Sequence, residues 1–147
     1  MQPLTPAQVK EIAEELGIGQ CCYYHKEKGT LLFLPDFAAH MYEIDELYAD
    51  DIAEVENNSG DYIVLEPPTS KESFRIMANF ANSLPENLGL RNQLFYALDN
   101  RKPFSHFKNR VDDSDYREAW FAFRDEQLRQ WVVERFEEEM NRMEDPD

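Results

Sequence analysis

Cysteine is scarce in this sequence of 147 residues: there are two, Cys21 and Cys22, and they are adjacent. Neighbouring residues of a strand point to opposite faces, so a disulfide between them would be strained. The C-x-x-C spacing of zinc sites and of thioredoxin-like redox sites is lacking as well. We therefore expect two free thiols in a reducing compartment, and a fold that needs neither a disulfide nor a metal ion.

Long apolar segments are also lacking. The longest wholly apolar runs, such as residues 119–123, have five residues, far below the roughly 18–20 residues that a membrane-spanning helix needs. The first ten residues contain neither a basic leader nor an apolar segment, so we expect no signal peptide. Both absences predict a cytoplasmic protein that does not interact with membranes.

The common enzyme motifs are missing. The sequence contains no G-x-G-x-x-G, G-x-x-x-x-G-K, G-x-S-x-G or H-E-x-x-H segment. Its histidines, His25, His40 and His106, show no metal-ligand spacing with one another or with a nearby cysteine. The sequence therefore predicts no cofactor, no metal site and no catalytic residue, and favours a non-enzymatic role.

Positive charge is in short supply: 15 Lys and Arg face 30 Asp and Glu, which gives a formal net charge of −15. A polyanion repels phosphate, so this balance argues against nucleic-acid and anionic-membrane binding and favours basic protein partners. Residues 29–70 contain ten acids and no Lys or Arg. We expect a helix near residues 43–56 with an acidic face, either solvated or bound by a basic partner, formed by Glu43, Glu46, Asp50 and Glu54.

The pattern of the chain predicts an α+β fold in a single domain, 1–147. An acidic N-terminal half, 1–68, should hold a small antiparallel sheet, a hairpin of strands 20–26 and 30–34 plus a third strand at 61–66. A first helix should begin after Thr5, in a capping box with Gln8, and end at Gly17. The other half, 69–147, should be a helical module of about four helices.

Four segments of the C-terminal half have helical patterns. Ser70 is the expected cap of the first, and the others should span 87–98, begin at Pro103, and run from 115 to 145. Phe104, Phe107 and Val111 should point inward. Four rings on the last helix have core spacing and are interpreted as core rather than as a platform for stacking bases: Trp120, Phe121, Phe123 and Trp131. Met140 and Met143 could mark a surface for homo-oligomer formation through the C-terminal helix.

Residues 101–110, R-K-P-F-S-H-F-K-N-R, hold four of the fifteen basic residues and no acid. On a helix Lys102, His106 and Arg110 form one row at i, i+4 and i+8. The row could pair with carboxylates elsewhere, or it could form with Lys108 a binding site for an anion or an acidic partner.

The leading hypothesis is a protein-interaction or regulatory module with an unidentified protein partner. One alternative is an enzyme with a site around His106 and Lys108. Another is a nucleic-acid-related protein, which binds through the 101–110 helix or imitates DNA with its acidic face.

Four segments resemble an uncharacterised (UPF-series) bacterial protein family, in the same order over about residues 61–136. They are D-Y-I-V-L, F-R-I-M-A-N-F, A-L-D-N-R-K-P-F-S-H-F-K-N-R-V and A-W-F-A-F-R-D-E-Q-L-R-Q-W. Members of the family read roughly A-F-R-R-F-K-D-x-L followed by W-Y-x-F-R. Where the family has Gly-Ala-Phe-Arg-Arg-Phe, this chain has Lys-Pro-Phe-Ser-His-Phe at 102–107. The resemblance implies a cytosolic bacterial protein with an α+β fold and supplies no activity.

Overall fold

The computed structural model describes residues 2–36 and 46–144. Within these ranges it contains one three-stranded antiparallel sheet and six α-helices, which confirms the α+β class. The chain forms two compact units: Met1–Pro67 together with Leu128–Asp147, and Pro68–Gln127. The single domain predicted over 1–147, with halves at 1–68 and 69–147, stays a prediction.

The first unit begins with helix α1 (Pro6–Gly17), followed by β1 (Gln20–His25) and β2 (Leu31–Pro35). Helix α2 (Glu46–Asn57), a 3-10 turn (Ser59–Asp61) and β3 (Tyr62–Leu65) follow. The capping box predicted for α1 is present, since Thr5 Oγ1 accepts from the Gln8 N–H at 3.1 Å and Gln8 Oε1 accepts from the Thr5 N–H at 2.9 Å. The apolar stripe of α1 is buried: Val9, Ile12, Ala13 and Leu16.

The sheet has the order β2-β1-β3, and β1 pairs antiparallel with both neighbours. Tyr24 and His25 are both buried although they are adjacent, so both faces of β1 are covered. The Tyr24 ring packs edge-to-face on Phe136, with ring centroids 4.9 Å apart. In the β1–β2 turn, His25 Nδ1 accepts from the backbone N–H groups of Glu27 and Lys28, at 3.2 and 3.1 Å. Gly29, at φ 67°, closes this turn.

The second unit contains α3 (Ser70–Ser83), α4 (Gly89–Leu98), α5 (Pro103–Asp112) and the start of α6 (Arg117–Glu144). Thr69, not Ser70, caps α3: its hydroxyl accepts from the Glu72 N–H at 3.2 Å, and the Glu72 carboxylate accepts from the Thr69 N–H at 3.1 Å. Ser70 was the wrong cap because the capping-box pattern T-x-x-E starts one residue earlier. A continuous helix of 28 residues, α6, includes the positions of Trp120 and Phe136.

Aromatic packing forms the core of the second unit. The Phe80 ring lies 5.3 Å from that of Trp120 and 5.4 Å from that of Phe123, centroid to centroid, and Phe107 lies 4.9 Å from Trp120. Trp120 and Phe107 are buried, whereas Phe104, expected to point inward, is exposed. The prediction that Phe104 points inward is wrong. Phe104 lies three residues, nearly a full turn, before buried Phe107, so the two share a side of α5. Phe104 is nevertheless exposed because it lies in the first turn of the helix, where less of the neighbouring structure covers it. None of the helices in the described ranges is both long and apolar enough to cross a membrane.

Candidate functional site

The candidate site lies where α4 ends and α5 begins. Helix α4 ends at Leu98, and Asn100 Nδ2 donates to the Tyr96 carbonyl oxygen at 2.6 Å, which ties the connecting segment back to α4. Pro103 occupies the first position of α5, where its missing N–H costs no hydrogen bond. Phe107 and Val111 are fully buried and anchor α5, so that His106 and Arg110, on other faces of the helix, remain exposed.

An open cleft of about 440 Å³ occupies this place. It is lined by Tyr96, Ala97, Asn100, Arg101, His106 and Arg110. The Tyr96 side chain is prominent, with 69% of its surface exposed, whereas Ala97 is buried. The volume falls within the range of small-ligand sites, although such sites enclose more of their ligand than an open cleft does. An open, cationic cleft with one exposed ring is better suited to an anionic group at the end of a side chain.

The cations of the cleft have no acidic partner among the residues that the structure describes. Ion pairs form elsewhere, such as Arg117–Asp112 at 3.3 Å and Arg142–Glu139 at 3.1 Å. The side chains of five basic residues make no hydrogen bond and no ion pair within the described ranges: Arg101, Lys102, His106, Lys108 and Arg110. The basic row therefore does not pair with a carboxylate anywhere in the described ranges.

The structure brings together part of the predicted basic row. His106 and Arg110 line the cleft, as does Arg101, which the row did not include. Lys102 is the N-cap residue of α5 and adopts a left-handed backbone, φ 53° and ψ 54°. Lys108 does not line the cleft, because residues two apart on a helix do not share a face. His106 and Lys108, the pair of the enzyme hypothesis, therefore lie on different faces of α5.

Sequence reasoning missed the two polar neighbours of the row, Tyr96 and Asn100. Tyr96 lies within the apolar run L-F-Y-A-L at 94–98, where nothing local distinguishes an exposed ring from a buried one. Its exposure follows from the burial of Leu94, Ala97 and Leu98 on the other side of α4. Arg101 could have been predicted as a cleft residue, since it is the first residue of the basic segment 101–110.

The predicted acidic face is described only in part. Glu43 lies outside the described residues, and Glu46 is the first residue of α2. Asp50 and Glu54 are exposed on α2, and Glu54 Oε1 accepts from the Tyr62 hydroxyl at 3.1 Å. Desolvation raises the pKa of Tyr62, and the hydrogen bond to Glu54 raises it further. The carboxylates of α2 therefore favour a protonated phenol beside them.

The two thiols are not available as nucleophiles. Burial raises the pKa of Cys21 to about 12, and the carboxylates of Asp36 and Glu66 add to the shift. Burial likewise raises the pKa of Cys22 to about 12, with a contribution from Glu11. Neither thiol is in a disulfide, and both are buried. Because their pKa is raised, they are protonated at neutral pH, and a protonated thiol is a poor nucleophile. Over residues 2–36 and 46–144, no group of three His, Cys, Asp or Glu side chains is placed to hold a metal ion.

Fold and cleft together define an α+β protein with a three-stranded antiparallel sheet and a helical unit that contains a basic cleft. The chain belongs to the uncharacterised protein family UPF0158, whose family model matches residues 2–144. Membership of a UPF-series family, expected from the sequence, is thereby confirmed. No curated protein and no solved structure matches the chain. The function is therefore argued from the cleft itself.

Proposed function

We propose that this protein is a non-enzymatic interaction module whose basic cleft binds an acidic segment of a protein partner. The observation that carries the proposal is that Arg101, His106 and Arg110 line one cleft and that no acidic side chain of residues 2–36 or 46–144 pairs with them, in a chain with a net charge of −15. Neighbouring cations without a counter-charge repel one another, and bound carboxylates relieve that repulsion. Arginine forks also suit carboxylates, which they can hold through two parallel hydrogen bonds.

Binding is a better account of the cleft than catalysis. An acid–base pair needs two groups within hydrogen-bond reach of one reacting atom. The cleft has one imidazole, His106, and the rest of its polar lining is Arg101, Arg110, Asn100 and the phenol of Tyr96. Lys108 faces away from His106, so the enzyme alternative loses the pair of residues on which it rested.

The test uses a fluorescein-labelled peptide rich in Glu and Asp, with fluorescence anisotropy as the readout. The double variant Arg101→Glu, Arg110→Glu should weaken binding about tenfold or more, since two charge-assisted contacts are lost. The matched control is Lys71→Glu, Arg75→Glu, which makes the same change of net charge at exposed positions of α3. It should weaken binding less than about twofold at moderate salt, because Lys71 and Arg75 do not line the cleft and salt screens charges that do not contact the peptide.

Equal losses in the two double variants would contradict the proposal, since net charge alone would then explain binding. The same titration with a single-stranded oligonucleotide of equal charge tests the nucleic-acid alternative. Tighter binding of the oligonucleotide, with a steep salt dependence, would replace the protein partner by a nucleic acid. A homo-oligomer through the C-terminal helix and a cytoplasmic location stay predictions.

A further inference from the structure

A second surface lies in the unit formed by residues 1–67 and 128–147. The N-terminal residues before α1 and the last three turns of α6 form a groove of about 360 Å³. Its apolar lining is Pro3, Leu4, Val133, Phe136 and Met140. It involves none of the residues of the basic cleft.

The groove has a buried floor and a partly exposed wall. Phe136 is 2% exposed and packs against Tyr24, so it cannot move without disturbing the core. Met140 is half-buried and unbranched, which lets it adapt to the shape of a ligand. Val133 and Met143 are 38% and 39% exposed, and with Met140 they lie at i, i+7 and i+10, along one side of α6.

The charge around the groove is negative. Four glutamates occupy 134–139, and two of them are paired, Glu138 with Arg135 at 3.4 Å and Glu139 with Arg142 at 3.1 Å. Glu134 and Glu137 have no ion pair among the described residues, and Glu137 lines the groove. The negative end of the α6 dipole adds to their field.

We propose that this groove binds a basic amphipathic helix of a partner protein. The apolar face of that helix packs on Phe136 and Met140, and its Lys or Arg side chains reach Glu134 and Glu137. The exposed stripe from Val133 to Met143 is about 15 Å long, enough for roughly three turns of a partner helix. A second copy of this chain, which the homo-oligomer prediction would place at the same helix, is disfavoured as the occupant because it would bring a second net charge of −15 to an acidic surface.

The probe is a labelled amphipathic Leu/Lys peptide of about 16 residues, long enough to cover the stripe as a helix. A peptide of the same composition in scrambled order is its control. The amphipathic order should bind about tenfold more tightly, because only it presents a continuous apolar face. Met140→Lys should weaken binding about tenfold, since it removes an apolar contact surface and adds a charge that repels the lysines of the peptide.

Glu137→Lys tests the charge of the groove and should weaken binding about fivefold or more. Its matched control is Glu14→Lys, an exposed acid of α1 that makes the same charge change away from the groove and should weaken binding less than about twofold. Circular dichroism checks that each variant is folded, and Val133→Lys is measured in place of Met140→Lys if that variant does not fold. Binding of the acidic peptide at the basic cleft should be unchanged in Met140→Lys, which separates the two proposals.

Three results would overturn the inference. Equal affinity for the ordered and scrambled peptides would show charge attraction without a groove. Unchanged affinity in Met140→Lys and in Val133→Lys would place the peptide elsewhere. A dimer in sedimentation that Met140→Lys dissociates would make a second copy the occupant.

Discussion

Lys102 has a backbone conformation that a residue with a side chain rarely adopts. At φ 53° it is the one residue other than glycine with positive φ in the described ranges. A side chain in this left-handed region costs roughly 1–2 kcal/mol. Glycine adopts this conformation without strain. The lysine therefore lowers stability while adding positive charge beside the cleft.

We predict that Lys102→Gly raises the free energy of unfolding by about 1 kcal/mol. Relief of the backbone strain stabilises the folded state, and the greater entropy of glycine in the unfolded chain offsets part of this gain. Lys108→Gly, in the middle of α5, is the matched control and should lower it by about 1 kcal/mol. Urea denaturation followed by tryptophan fluorescence measures both. Destabilisation by both substitutions would show that Lys102 is not strained.

The buried thiols predict a pH dependence of stability. A thiol of the unfolded chain ionises around its ordinary pKa of 9.0, whereas the pKa of Cys21 and of Cys22 in the folded protein is about 12. Between these values the folded state binds more protons than the unfolded state. The thiol contribution to the free energy of unfolding is therefore complete below pH 9 and is lost as pH rises towards 12.

Urea denaturation under reducing conditions between about pH 8 and about pH 11 should show this loss. Tyrosine and lysine ionise over the same interval, so the comparison is made with the double variant Cys21→Ala, Cys22→Ala. Its free energy of unfolding should fall less steeply with pH. Identical slopes for the two proteins would mean that the thiols do not contribute.

At the scale of elements, the cap of α3 shows how local signals act. Thr69 accepts the Glu72 N–H, and Ser70 is already the first residue of the helix. We predict that Thr69→Ala lowers the free energy of unfolding by about 1 kcal/mol, because an N–H at the helix start loses its acceptor. Ser70→Ala should change it by only a few tenths of a kcal/mol, since alanine is the better helix former. Thermal unfolding followed by circular dichroism compares the two, and a larger loss in Ser70→Ala would contradict this cap.

Element positions followed closely from sequence. The predicted strand 20–26 ends one residue early, at His25, and the predicted helix 87–98 begins two residues late, at Gly89. Pro103 begins α5 as expected. Capping boxes, prolines and alternation act over a few residues, so a sequence reports them directly. Element ends vary because the last hydrogen bonds depend on the neighbouring segments.

At the scale of the whole molecule, net charge acts on stability. A net charge of −15 destabilises the compact state through self-repulsion, and the described ion pairs are few and exposed. We predict that the urea midpoint rises when NaCl increases from about 0.01 M to about 1 M, because the Debye length shrinks from about 30 Å to about 3 Å.

A variant with exposed acids neutralised, Glu14→Gln with Glu56→Gln, is the control for this salt effect. Its midpoint should rise less with salt, because it has less repulsion to screen. A rise of the same size in both proteins would assign the effect to general salting-out rather than to charge.

The sequence by itself determined the class of fold, the segments that form helices and strands, and the position of the basic segment at 101–110. These properties depend on periodicity, capping and charge within short stretches of chain. Tertiary structure alone decided that both faces of β1 are covered and that Tyr96 is exposed while Phe107 is buried. It also decided that the cations of the cleft meet no carboxylate in the described part of the chain. It also decided that the end of α6 and the residues before α1 form one groove. Each of these depends on packing between residues distant in sequence, for which the local pattern contains no signal.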